Sequence, residues 1–107
     1  MPSVPVRTPV ACVLRLVYPW TVPRISEFLG IYIYMYFSDH RPPHFHAIYG
    51  RYDAAIDITT GEIVKGSLPN RARGLVREWA NLYRQELSAN WECARNHDPL
   101  LWIPPLE

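Results

Sequence analysis

The two-residue turn Gly50-Arg51, between two strand-like segments, constrains this fold most. Residues 44–49 and 52–59 are rich in aromatic and β-branched side chains, which is typical of strands. Glycine readily adopts the positive φ that a tight hairpin turn requires at its first central position. Because a loop of two residues leaves little freedom in strand pairing, the sequence predicts one hairpin with a defined register.

That register assigns the two faces of the hairpin. It places Phe45 opposite Ile56 and His44 opposite Asp57. Successive side chains of a strand point to opposite faces, so the apolar pair predicts the core face. His44 and His46 are then expected on the other face, together with Asp53, Ala55 and Asp57.

Residues 31–37 follow the same period of two. Isoleucine, methionine and phenylalanine alternate with Tyr32, Tyr34 and Tyr36. If the aliphatic row joins the core, the three tyrosines lie beside the histidines. The sequence therefore predicts one sheet face of tyrosine, histidine and aspartate.

The second half of the chain predicts one more strand and a helix. Residues 62–65 follow a Thr-Gly turn, and from Asn70 apolar residues recur at spacings of three and four, with Trp79 and Trp91 on the apolar side. Residues 21–30 are compatible with a short strand or a helical turn. The predicted fold is α+β: a four-stranded, mainly antiparallel meander with one long C-terminal helix packed on one face.

Composition limits the possible partners and the compartment. The net charge is +1, so a case for nucleic-acid binding has to come from a local patch. No stretch approaches the ~20 apolar residues that cross a bilayer, and we expect no membrane partner. The two cysteines, Cys12 and Cys93, lack a C-x-x-C spacing. They are expected to be free thiols, and a cytoplasmic location is the default.

The side chains best suited to catalysis or metal binding are clustered in the segment D-H-R-P-P-H-F-H, residues 39–46. His44 and His46 are two positions apart on one strand face, ~6 to 7 Å apart at Cβ, a spacing that suits neighbouring ligands of a divalent metal such as zinc. A third ligand is required. The candidates are Asp39, His40 and Asp57, and the metal set that we predict is His44, His46 and Asp57.

The same residues also suit metal-free chemistry. Histidines exchange protons near neutral pH, and an arginine can stabilise a charged phosphorane, so His40, Arg41, His44 and His46 form a candidate catalytic set for RNA cleavage. The alternative is structural: the histidines are polar groups that hold the loop by hydrogen bonding.

Two further groups are candidates for binding. Tyr32, Tyr34 and Tyr36 could stack bases, as the aromatic platforms of single-strand binders do. Arg73 and Arg77, one helical turn apart, could contact phosphates. The alternatives are β-propensity or a protein partner for the tyrosines, and a solvated helix face for the arginines.

Four strings, in this order, resemble a small bacterial domain of unknown function numbered 4160. They are V-P-R-I-S-E-F-L-G-I-Y-I-Y-M-Y, D-H-R-P-P-H-F-H-A-I-Y-G, A-I-D-I-T-T-G-E-I and L-P-N-R-A-R-G-L-V-R-E-W-A. Members typically open with Met-Pro, where this sequence has Val22-Pro23. The resemblance implies a single domain over residues 22–107. Residues 1–21 are then an extension, and an over-called start codon is one explanation of it.

The resemblance also implies a genetic setting. Genes of this family often lie beside a second short gene, of the family numbered 2442, in pairs described as toxin and antitoxin. The leading hypothesis is therefore a component of such a two-gene module, a ribonuclease-like toxin with a cognate small protein as partner and RNA as target. The alternatives are a non-catalytic adaptor that binds a protein through the tyrosine and histidine face, and a metal-dependent hydrolase.

Overall fold

The computed structural model describes residues 16–18, 23–37 and 39–107. Its elements, in chain order, are β1 Leu16–Val17, β2 Arg24–Phe28, β3 Ile31–Tyr34, β4 His44–Tyr49, β5 Tyr52–Asp57, β6 Ile63–Gly66, α1 Asn70–Leu82, α2 Arg84–Arg95 and β7 Leu100–Leu101. The chain is α+β, as the sequence predicts. Most of the expected N-terminal extension, including Cys12, lies outside the described residues, and Cys93 is a free thiol.

The main sheet is antiparallel, with the strand order β2-β3-β4-β5-β6. The predicted hairpin is confirmed in every pair: His44 lies opposite Asp57, and Phe45 lies opposite Ile56. Gly50 adopts the positive φ that the turn requires, +60°. The face assignment that follows from this register is therefore correct.

The sheet has five strands, and the predicted number of four is wrong. The additional strand is β2, at the edge of the sheet, where it pairs with β3. Its pairing shifts between Arg24 and Ser26, so Ile25 and Ser26 are both buried although they are neighbours. This bulge removes the strict alternation by which a strand is recognised in a sequence.

The single long helix is also a wrong prediction, because the helical region divides at Tyr83 into α1 and α2. Tyr83 has φ −115° and ψ 30°, outside the helical region. Hydrogen bonds still run from Tyr83 N–H to the Trp79 carbonyl and from Leu87 N–H to the Tyr83 carbonyl. The spacing of apolar residues is therefore preserved across the break, and the sequence pattern looks continuous.

The helices pack on the apolar face of the sheet through the two predicted core tryptophans. Trp79 is fully buried, with its ring centroid 5.4 Å from that of Phe28 and 5.7 Å from that of Phe45. Trp91 is buried on α2. Burial of such large rings is a major stabilising contribution in a domain of this size. The opposite sheet face therefore carries the polar row.

The C-terminal tail joins the body through backbone contacts. Ile103 N–H donates to the Ile25 carbonyl at 2.8 Å, and Leu101 exchanges two hydrogen bonds with the side chain of Asn90. Strand β7 pairs with β1, which brings Val17 into the core. In the part of the chain that the structure describes, no helix combines the length and the apolar character needed to span a membrane.

Candidate metal and binding site on the open sheet face

Two histidines on β4 form the centre of the site. His44 and His46 are two positions apart on the strand, so both side chains leave the same face of the sheet. Their ring centroids are 5.1 Å apart. This proximity is compatible with two neighbouring ligands of one ion.

Asp39, in the loop before β4, completes a group of three. Its Oδ2 atom lies 3.0 Å from Nε2 of His44 and 3.5 Å from Nε2 of His46. One ligand atom from each of the three residues lies within 4.8 Å of the others. Both imidazoles thus direct the same nitrogen at one carboxylate oxygen.

The other ring nitrogen of each histidine also faces an oxygen atom. Nδ1 of His44 lies 2.7 Å from the carbonyl oxygen of Pro42, which can only accept, so this nitrogen carries the proton. Nδ1 of His46 lies 4.0 Å from a carboxylate oxygen of Asp53. Metal-binding histidines are oriented by an acceptor behind the ring, and the Pro42 carbonyl has this position for His44. The Asp53 oxygen is too far from His46 for a hydrogen bond.

The two histidines differ in burial. The side chain of His44 is only 9% exposed, whereas that of His46 is 22% exposed. The sequence places His44 on the exposed face but does not predict this burial. It is buried because the loop that carries Asp39 and Pro42 folds against it and the ring of Trp91 packs 5.3 Å from it, between centroids.

Nε2 of His46 is buried and, among the described residues, has no hydrogen-bond partner. The Asp39 oxygen at 3.5 Å is beyond the usual N–H···O range. Buried nitrogen atoms without a partner are uncommon in folded proteins and call for an explanation such as an ion. The unsatisfied nitrogen points into the space that the three residues share.

Electrostatics keep Asp39 in its charged form. Burial alone raises the pKa of Asp39, but the backbone N–H of His40 and the imidazoles of His44 and His46 outweigh it and hold the pKa below its ordinary value. The N–H of His40 donates to Oδ1 at 2.9 Å. The carboxylate is therefore ionised near neutral pH, the form that binds metals.

Aromatic residues border the site on the β3 side. The rings of Tyr34 and Tyr36 lie 6.2 Å apart, only 14° from parallel, and Tyr36 contacts His46 edge-on at 4.8 Å between centroids. Burial, followed by the charge of Asp53 and the neighbouring Tyr34 and Asp39, raises the pKa of Tyr36. Its phenol stays protonated near neutral pH and can donate a hydrogen bond.

Two adjoining depressions open on this face. One, of about 250 Å³, is lined by Asp39, His40, Arg41, Pro42, His44, His46, Ala55, Val64 and Lys65. The other, of about 360 Å³, is lined by His46, Asp53, Ala55, Lys65 and Gly66. They share His46, Ala55 and Lys65, so they form one trough across β4, β5 and β6.

The remaining predicted residues lie at different distances from this centre. His40 is almost fully exposed and contacts Asp39 at 3.2 Å, and Arg41 is exposed at the rim of the trough. Asp57 is not in the group of three: its Oδ1 accepts the backbone N–H groups of Thr59 and Thr60. The structure therefore brings Asp39, one of the alternatives, to the histidines.

The outer candidates have other contacts. Tyr32 lies under the guanidinium of Arg24, 5.1 Å from the ring centroid. Arg73 donates to Asn70 on its own helix, and Arg77 pairs with Glu62 at the turn before β6. The helix arginines are thus engaged with polar neighbours, and their predicted phosphate contacts stay untested.

The sequence places Asp53 on the histidine face by the alternation along β5, but Asp53 was not among the predicted site residues, and Lys65 was missed. A carboxylate oxygen of Asp53 lies 4.0 Å from Nδ1 of His46, and Lys65 lines both depressions. The position of Lys65 does not follow from the sequence, because a bulge between Ala55 and Ile56 shifts the register of β6.

Residues 30–92 match the family described as Domain of unknown function (DUF4160). The chain belongs to this family. The matched range contains Asp39, His44, His46 and Lys65, and thus the whole trough. None of the curated proteins and none of the solved structures matches the chain.

Proposed function

We propose that this chain is a metal-dependent hydrolase whose centre is a single divalent ion, such as zinc, held by Asp39, His44 and His46. Three protein ligands leave a fourth position for water or substrate, which is the arrangement of catalytic zinc sites rather than structural ones. The two histidines and the carboxylate supply ligand types that zinc commonly takes.

The observation that carries the proposal is the convergence of two Nε2 atoms on Asp39, with Nδ1 of His44 hydrogen-bonded to the Pro42 carbonyl. Ligand atoms around a tetrahedral zinc, at ~2.0 to 2.1 Å from the ion, lie roughly 3.4 Å from one another. The nitrogen-to-oxygen separations are 3.0 and 3.5 Å, and all three ligand atoms lie within 4.8 Å of one another. Binding of an ion would therefore draw the three side chains together around it.

An ion also accounts for the unsatisfied nitrogen. Nε2 of His46 is buried without a hydrogen-bond partner in the described part of the chain, and it points at the shared space. A metal ion at this position would bind the lone pair of this nitrogen.

The surroundings of the centre favour a phosphate ester as substrate. Arg41 and Lys65 are exposed at the rim of the trough, where their charges can bind the non-bridging oxygens of a phosphate. An ion held by Asp39, His44 and His46 would supply an activated water for attack on phosphorus, and each phosphate ester bond cleaved would consume one water. Arg41 and Lys65 would hold the phosphate oxygens during this attack.

The metal-free alternative has less support from the geometry. General acid or base chemistry requires a histidine that reaches the proton it transfers. The ring of His44 is buried, and its two nitrogens already face Pro42 and Asp39. His40 is open to solvent, with Nδ1 at 3.2 Å from Oδ1 of Asp39 and its ring edge-on to that of His44.

Titration of the metal-free chain with Zn²⁺, in competition with a chromophoric chelator, tests the proposal. Wild-type protein should bind one ion, and Asp39→Asn and His46→Asn should each lower the affinity at least tenfold. Asp57→Asn and His97→Asn are the matched controls, and both should retain wild-type affinity. A loss with Asp57→Asn equal to that with Asp39→Asn, or no binding by the wild type, would contradict the proposed ligand set.

The two-gene module stays a prediction. A hydrolytic centre is compatible with a toxin that acts on RNA, and the tyrosines beside it are compatible with a cognate small protein as partner. If toxicity on expression depends on the centre, Asp39→Asn should abolish it while binding to the partner is kept. The adaptor alternative predicts the reverse for Tyr36→Ala, because aromatic anchors dominate protein interfaces.

A further inference from the structure

We propose that the open sheet face binds a single-stranded nucleic acid laid across the strands, with bases on Tyr34 and Tyr36 and phosphates on Arg41 and Lys65. This inference rests on the proposed function, because it names the class of phosphodiester that the metal centre would cleave. It is carried by the order of side chains across the sheet.

One row of side chains crosses all five strands. Adjacent members of this row are partners in the strand pairing, and the row runs Arg24, Tyr34, His46, Ala55 and Lys65. Three strand spacings separate Tyr34 from Lys65, about 14 Å. At ~3.4 Å per stacked nucleotide, that distance accommodates about four nucleotides.

The β3 side of the row supplies flat apolar surfaces. Tyr36 is 39% exposed and contacts His46, and the half-buried ring of Tyr34 lies nearly parallel to that of Tyr36. Accessible aromatic rings bind bases by stacking, which tolerates any sequence because every base has a π-face. A base placed here leaves its phosphate close to the metal centre.

The β6 side of the row supplies positive charge. Lys65 lines both depressions, and Arg41 reaches the same trough from the loop. Ala55 lies between Lys65 and His46, and its small side chain leaves open space in the trough. A phosphodiester backbone that lies along the trough over Ala55 passes from the histidines to the lysine.

These features favour a single strand over a duplex. A duplex keeps its bases stacked inside, where Tyr34 and Tyr36 cannot reach them, whereas a single strand can expose its bases to aromatic side chains. The net charge of the chain is only +1, so long-range attraction to the dense charge of a duplex is small. Binding therefore depends on the local contacts of the trough.

The charge contacts predict a weak dependence on salt. Two cations at the phosphates, Arg41 and Lys65, predict a slope of log affinity against log salt of about −1.4 for a single strand. The Lys65→Gln variant should reduce that slope by about 0.7. A non-specific basic surface would give a steeper slope that this one substitution barely changes.

Fluorescence anisotropy of the full chain with labelled ten-nucleotide RNA, DNA and a duplex of the same sequence tests the inference. The buffer contains EDTA, so binding is measured without cleavage, and the zinc titration above is done without nucleic acid. Each proposal can thus fail while the other stands. Either single strand, or RNA alone, should bind at least tenfold more tightly than the duplex.

Matched variants identify the surface. Tyr36→Ala should weaken single-strand binding roughly tenfold, and Lys65→Gln several-fold. Two controls should each leave the affinity within twofold of wild type. Tyr52→Ala changes an equally exposed tyrosine whose side chain leaves the opposite face of the sheet, and Arg51→Gln changes the hairpin turn. Circular dichroism of each variant checks the fold. Duplex binding as tight as single-strand binding, or equal losses in variants and controls, would overturn the inference.

Discussion

His44 lies directly opposite Asp57 in the β4–β5 pairing, yet the two side chains bind different partners. His44 contacts Asp39 and Pro42 of the preceding loop, whereas Asp57 accepts the backbone N–H groups of the turn that follows β5. Cross-strand pairing therefore places a carboxylate beside the histidine without making it a ligand. The loop decides which carboxylate joins the site.

The face assignment predicts unequal effects of two neighbouring substitutions. Phe45 is fully buried against Trp79, so Phe45→Ala should lower the free energy of unfolding by ~3 to 5 kcal/mol through lost burial and a cavity. His46→Ala, measured without metal, should cost about 1 kcal/mol or less. Urea denaturation of both variants gives the comparison. Equal losses, or a larger loss for His46→Ala, would contradict the assignment.

Substitution of glycine by alanine should have opposite effects on stability at two positions. Gly66 has φ +80°, and a Cβ atom there would lie 2.0 Å from the carbonyl oxygen of Asp53. Gly66→Ala should therefore destabilise the fold by about 2 kcal/mol or more, because the backbone must move. Gly74→Ala, within α1 and with open space around it, should stabilise by about 1 kcal/mol. Thermal unfolding of the pair checks both signs.

The tail depends on one buried amide. Asn90 is 3% exposed, donates to the Leu101 carbonyl at 2.9 Å and accepts the Leu101 N–H at 3.0 Å. Asn90→Ala leaves both peptide groups without this partner and should cost about 2 kcal/mol. Asn81→Ala, at an exposed position of α1, is the control and should change stability by about 0.5 kcal/mol or less. Hydrogen exchange at Leu101 should increase in the first variant only.

The sequence predicts the parts of the fold in which periodicity and turn chemistry agree. The Gly50-Arg51 turn and the strict alternation around it determine the whole β4–β5 register. Strand β2 is not predictable in this way, because its bulge makes adjacent residues bury together. The break at Tyr83 has no glycine or proline to mark it, and the helical spacing continues through it.

The site was predictable to the extent that it lies on regular strands. The spacing of His44 and His46 follows from the strand period of two. The path of the loop that carries Asp39 follows no period, so the sequence leaves three candidates for the third ligand. The burial of His44 depends on Trp91, more than 40 positions away, a contact that only the packing of α2 creates.

Zinc should stabilise the folded chain, because the three ligands come together only on folding. At a free Zn²⁺ concentration of 100 times Kd, the stabilisation is about 2.7 kcal/mol, which raises Tm by roughly 10 to 20 °C for a domain of this size. Differential scanning calorimetry should show the increase, and excess EDTA should reverse it. An equal increase in Asp39→Asn would mean that the ion binds elsewhere.

The ligand set itself is tested most directly by X-ray absorption at the zinc edge, with the full chain loaded with one equivalent of Zn²⁺. We predict a first shell of nitrogen and oxygen at about 2.0 to 2.1 Å, with the scattering of two imidazoles and no sulfur at about 2.3 Å. His46→Asn should remove one of the two imidazoles. A shell of oxygen alone, or one containing the sulfur of a cysteine, would contradict a centre formed by Asp39, His44 and His46.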